Sequence, residues 1–95
     1  MRRSYIFVYE DKCGTRDEVK NYIDKIPEIL NWRYELPNSF FLVSDLSARE
    51  IYEKIKEFSK DGKFIVSETT SNKQGWLAKD SWNIMNKKNL PGEKD

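Results

Sequence analysis

Glu10 and Asp11, adjacent carboxylates that close an apolar run, are the residues best suited to hold a divalent cation. Mg²⁺ or Mn²⁺ needs only one or two protein carboxylates plus water, and a cation held there could activate water for hydrolysis. The plainer reading is a solvated strand end before a helix. The chain has no His and one Cys, which excludes Ser/His/Asp triads, Cys/His dyads, disulfide frameworks and zinc sites of His or Cys. Cys13-Gly14-Thr15 stands where a helix N-terminus would lower a thiol pKa. A phosphatase loop needs a longer glycine-rich cradle than Arg16 allows, so a small residue in a turn is the simpler reading. Arg2, Arg3, Arg33, Lys79, Lys87 and Lys88 form a candidate surface for RNA or DNA phosphates, against the alternative of scattered solubilising charge.

Ninety-five residues bound the chain to one domain, placed at 1–88, with 89–95 expected as a flexible tail around Pro91-Gly92. Seventeen basic against sixteen acidic residues leave a net charge of +1, too little for nucleic-acid binding by bulk electrostatics. A charged fraction of 35% and a mean hydropathy of -0.82 describe a small surface-rich domain. The apolar run after Arg2-Arg3 is too short for a signal peptide, and no stretch approaches a membrane span, so the expectation is a cytoplasmic protein with no membrane partner.

These side chains must be positioned by a small set of elements. Residues 4–10 read as a central strand with Tyr5, Phe7 and Tyr9 on one face and Ile6 and Val8 on the other. Thr15 and Glu18 have capping-box spacing, and Val19, Tyr22, Ile23 and Ile26 carry a helix that Pro27 ends. Trp32 to Leu36 alternates apolar and charged residues as a half-exposed strand does, Pro37-Asn38-Ser39 turns, and Phe40–Val43 reads as a strand buried on both faces. Ser47 and Glu50 open a second helix with Ile51, Ile55 and Phe58 inward, Tyr52 at the margin, and a Glu50–Lys54 pair on the solvated side. Residues 63–68 form a fourth strand, and 79–87 a short last helix anchored by Trp76 and Trp82.

The order gives an α+β fold, a ferredoxin-like β-α-β-β-α-β arrangement with an antiparallel sheet ordered 4-1-3-2 and a short C-terminal helix. With both long helices on one face, the other would present aromatics drawn from Tyr5, Phe7, Tyr9, Trp32 and Tyr34, a patch to be covered by the last helix, a second subunit or a ligand. Such a face could stack RNA bases, but Asn38–Leu42 lacks the glycine that RNA-recognition strands place between basic and aromatic residues, which favours dimer burial.

Val8-Tyr9-Glu10, Trp32-Arg33-Tyr34, Ser39–Val43, Asp45–Ile51, Phe64–Glu68, Gly75-Trp76-Leu77 and Trp82 together resemble the SinR-like small proteins. These are a branch of the ferredoxin-like group that includes the CRISPR-associated adaptation endoribonucleases and the VapD ribonucleases. The resemblance spans roughly residues 5–86 and implies a homodimer. In the CRISPR-associated members it implies a metal-dependent phosphodiesterase site around an Asp after the first strand's aromatic, one from each subunit. Glu10 occupies that position here, which makes it the candidate catalytic residue by this resemblance, and its longer arm moves the ligand oxygens. The leading expectation is a homodimeric binding protein, non-catalytic or weakly catalytic. The rivals are a Mg²⁺- or Mn²⁺-dependent endoribonuclease and a regulator of phage or toxin–antitoxin type that binds an unknown protein.

Overall fold

A computed structural model describes residues 1–93. The elements are β1 (Arg3–Tyr9), a 3-10 turn (Asp11–Cys13), α1 (Arg16–Asp24), β2 (Ile29–Arg33), β3 (Ser39–Ser44), α2 (Ala48–Lys56), β4 (Phe64–Glu68) and α3 (Lys79–Lys87). The strands form one antiparallel sheet in the order β2-β3-β1-β4, the expected order read from its other edge.

Both long helices start where local chemistry dictates. Thr15 Oγ1 accepts the Glu18 N–H at 3.2 Å while the Glu18 carboxylate accepts the Thr15 N–H at 2.9 Å, and Ser47 and Glu50 repeat the exchange at 3.2 and 3.0 Å. Glu50 is thereby engaged at the cap, and Lys54 pairs with Glu28 at 3.5 Å instead of with Glu50. Val19 and Ile23 of α1 and Ile51 and Ile55 of α2 are buried against Tyr5, Phe7, Tyr9, Phe40 and Leu42. The Tyr22 and Phe58 rings stack at 4.6 Å.

This corrects the expected open aromatic face. Tyr5, Phe7 and Tyr9 are 1%, 0% and 4% exposed beneath the helices, and the Tyr5 hydroxyl donates to the Leu46 carbonyl at 2.6 Å. Because β1 is apolar on both faces, strand parity alone left open which side the helices take; their own apolar stripes took the larger rings. Trp32 and Tyr34 lie at the rim of that same face, where the Trp32 indole N–H donates to Asp24 at 2.7 Å and the Arg16 guanidinium sits 4.1 Å over the Tyr34 ring.

The second face belongs to α3. Ile84 and Met85 pack with Phe41 and Val43, with Ile6, Leu77 and Trp82 alongside. The buried Ser4 hydroxyl donates to the Met85 carbonyl at 2.9 Å, tying the last turn of α3 to β1. α3 lacks a side-chain cap of its own at Ala78; Glu35 supplies one from a distance, its carboxylate accepting the Ala78 N–H at 2.9 and 3.0 Å and the Ser81 hydroxyl at 2.6 Å. That use of Glu35 explains why β2 ends at Arg33, three residues short of the expected Leu36.

The segment after α3, expected as a tail, touches β2 at its start, where Asn31 Nδ2 donates to the Asn89 carbonyl at 2.8 Å, and is tied to the N-terminal segment at residue 93, where Arg2 pairs with Glu93 at 2.8 Å. The last two positions of that expected tail fall outside the described residues.

Candidate functional site

The end of β1 reaches the starts of β3 and β4, as the strand order requires. Tyr9 N–H donates to the Asn38 carbonyl and Glu10 N–H to the Lys63 carbonyl, both at 3.0 Å. The Glu10 carboxylate accepts the Lys63 backbone N–H, on the β4 side. Asp11 begins the 3-10 turn instead of continuing the strand, and its carboxylate accepts from the Asn38 amide at 2.8 Å, on the β3 side. The two carboxylates therefore bond toward opposite flanks of β1, Glu10 through Oε2 and Asp11 through Oδ1. Among the described residues no group of three or more His, Cys, Asp or Glu could hold a metal ion.

Cys13 is fully buried, its Sγ 3.8 Å from the Lys63 carbonyl, and burial pushes its thiol pKa up. That is the reverse of what a nucleophilic thiol requires. The Tyr9 hydroxyl is buried with no hydrogen-bond partner among the described residues, and burial raises its pKa as well.

The six candidate phosphate-binding residues divide among three places. Arg2 donates to the Lys88 carbonyl at 3.0 Å, so these two meet at the C-terminal end of α3, with exposed Lys87 on its last turn. Arg33 reaches the N-terminal end, donating to Ser81 at 2.8 Å and lying 3.8 Å from Asp80, with Lys79 beside it. Arg3 falls on the helix-covered face, in line with Tyr5 and near Glu68. The α3 rise separates its two ends by about 13 Å, and each end carries an acid, Asp80 or Glu93, beside its arginine. An open cleft of about 560 Å³ runs between them, lined by Asn31–Tyr34, α3 and residues 89–93.

A different surface emerges on the second face. α3 packs over β3, β1 and β2, while the β4 side of that face stays open, with Ile65 61% and Val8 40% exposed and directly opposite one another. Beside them lies an apolar groove of about 390 Å³, lined by Ile6, Leu36, Phe41, Leu77, Trp82 and Met85 among others. Trp82 anchors α3 as expected. Trp76 does not: it stands at the groove's lip and is 98% exposed. The signal in the sequence was Ile6 and Val8, the smaller apolar set on β1, which the larger aromatic set overshadowed.

No family model, curated protein or solved structure matches this chain.

Proposed function

We propose that this chain is a small homodimeric binding protein of ferredoxin-like form, resembling the SinR-like small proteins, that works by contact with protein surfaces and not by catalysis. The dimer follows from that resemblance, and the observation that carries the protein-contact part of the reading is Trp76, a large aromatic 98% exposed at the lip of an apolar groove, with Val8, Ile65 and Leu36 exposed nearby. An apolar set of this kind, rimmed by polar residues, is characteristic of interaction surfaces. The engagement of Glu10 and Asp11 by backbone and amide donors on opposite sides of β1 supports the same conclusion from the chemical side.

Two measurements test it. Light scattering at micromolar concentration is expected to give about twice the 11.3 kDa chain mass, and a monomer alone would remove the dimer. Incubation with RNA and Mg²⁺ or Mn²⁺ is expected to leave the RNA intact. Metal-dependent cleavage that disappears in Glu10→Ala would replace this reading with the endoribonuclease.

A further inference from the structure

The two edges of the sheet are unlike. On β2, the register shifts between Ile29 and Asn31, the Asn31 side chain accepts the Trp32 N–H at 2.9 Å, and its amide holds the Asn89 carbonyl. A kink, a side chain serving the backbone and an overlying segment are devices that blunt an edge strand. Among the described residues β4 shows none of these. Its ladder to β1 is regular over five residues, and Phe64–Glu68 contains no proline and a single charge, Glu68, at its end.

The outward backbone groups on β4 follow from the hydrogen bonds at its two ends. Thr69 N–H donates to the Ser4 carbonyl and Glu10 N–H to the Lys63 carbonyl, so residues 63, 65, 67 and 69 bond inward to β1. Phe64, Val66 and Glu68 turn their N–H and C=O groups outward.

From this asymmetry we propose that a second copy of this chain pairs antiparallel along β4, with the two-fold axis at Val66. The inference rests on the homodimeric reading above and specifies how the two copies meet. The outward residues are symmetric about Val66, so Val66 faces its own counterpart, Phe64 faces Glu68 of the partner subunit, and about six backbone hydrogen bonds satisfy every outward group on both strands. Charge agrees with this register, though by a small margin. Lys56, Lys63 and Asp61 border the shallow depression around Phe64, with Asp61 paired to Lys56 at 3.4 Å, so the partner's Glu68 arrives beside one net positive charge, and the exchange occurs twice. The two four-stranded sheets become one continuous sheet, and the groove at Trp76 stays open on each copy.

Val66→Pro removes an outward N–H without touching the ladder to β1, where proline is tolerated on an edge. The wild-type chain is expected to be dimeric by light scattering, and Val66→Pro to be monomeric with an unchanged far-UV circular dichroism spectrum. A folded Val66→Pro that stays dimeric overturns the edge pairing and leaves the dimeric reading standing. A wild-type chain that is monomeric at about 100 µM removes that reading itself, and a strand from a different protein would then be the candidate occupant of the edge. Ile65 and Ser67 of facing copies form a non-hydrogen-bonded pair within disulfide reach. The doubly substituted Ile65→Cys, Ser67→Cys chain is therefore expected to run as a covalent dimer without reductant, whereas Ile65→Cys alone is not. If Val66→Pro fails to fold, absence of that crosslink overturns the proposal.

Discussion

Gly62 shows how closely one residue governs the end of β1. A Cβ placed there would lie 2.6 Å from Cys13 Sγ, 2.8 Å from Cys13 N and 3.0 Å from the Ser59 carbonyl. Two of these three neighbours are backbone, which cannot swing aside. Gly62→Ala is expected to destabilise by about 1–3 kcal/mol, as overpacking of buried sites does, read as a lower urea midpoint. Shortening the thiol with Cys13→Ala relieves only the Sγ contact, so the double variant should recover part of the loss. Glu10 depends on the same junction, because its carboxylate binds the Lys63 N–H next to Gly62. Residue type alone marked Glu10 and Asp11 as metal ligands; it could not show that each carboxylate leans toward a different neighbouring strand.

Among the elements, the two capping boxes, the bounds of α3 and the fully buried β3 were legible because each rests on local spacing or on a continuous apolar run. β2 was misplaced because Trp32 to Leu36 alternates as a strand would, while Glu35 leaves the sheet to cap α3 across more than forty residues of chain. No local pattern encodes such a long-range partner. The cap also makes α3 sensitive to acid. The Ser81 hydroxyl and the Ala78 N–H hold the Glu35 carboxyl below its ordinary value. Its contribution is therefore complete above the ordinary carboxylate range, at about pH 5 and higher, and is lost as pH falls through the depressed folded value. Glu18, Glu50 and Glu93 are lowered in the same direction, so the comparison must be with a variant. Glu35→Gln is expected to be less stable than wild type at pH 7 and to lose less stability between pH 6 and 3. Urea unfolding followed by tryptophan fluorescence checks both.

At the scale of the whole molecule, the sheet carries two unequal covers: α1 and α2 complete one face, whereas α3 with the segment before it leaves the β4 side of the other open. The strand order was legible from the sequence of elements, but the face assignment required knowing which of β1's two apolar sets the helices would claim. Trp76 contributes to the open surface and almost nothing to the core. Trp76→Ser is accordingly expected to shift unfolding free energy by no more than about 0.5 kcal/mol, while lowering the fluorescence enhancement of an apolar dye bound in the groove. A sheet can also be counted by its valence. In the edge pairing proposed above, β2 is blunted by its kink and its Asn31 contacts and each copy offers one bonding edge at β4, so growth would terminate at a pair. Straightening β2 and freeing Asn31 from both of its bonds would raise that valence toward two, and a chain with two open edges builds ribbons. In the proposed pairing, the kinked edge at β2 is therefore what would close the assembly.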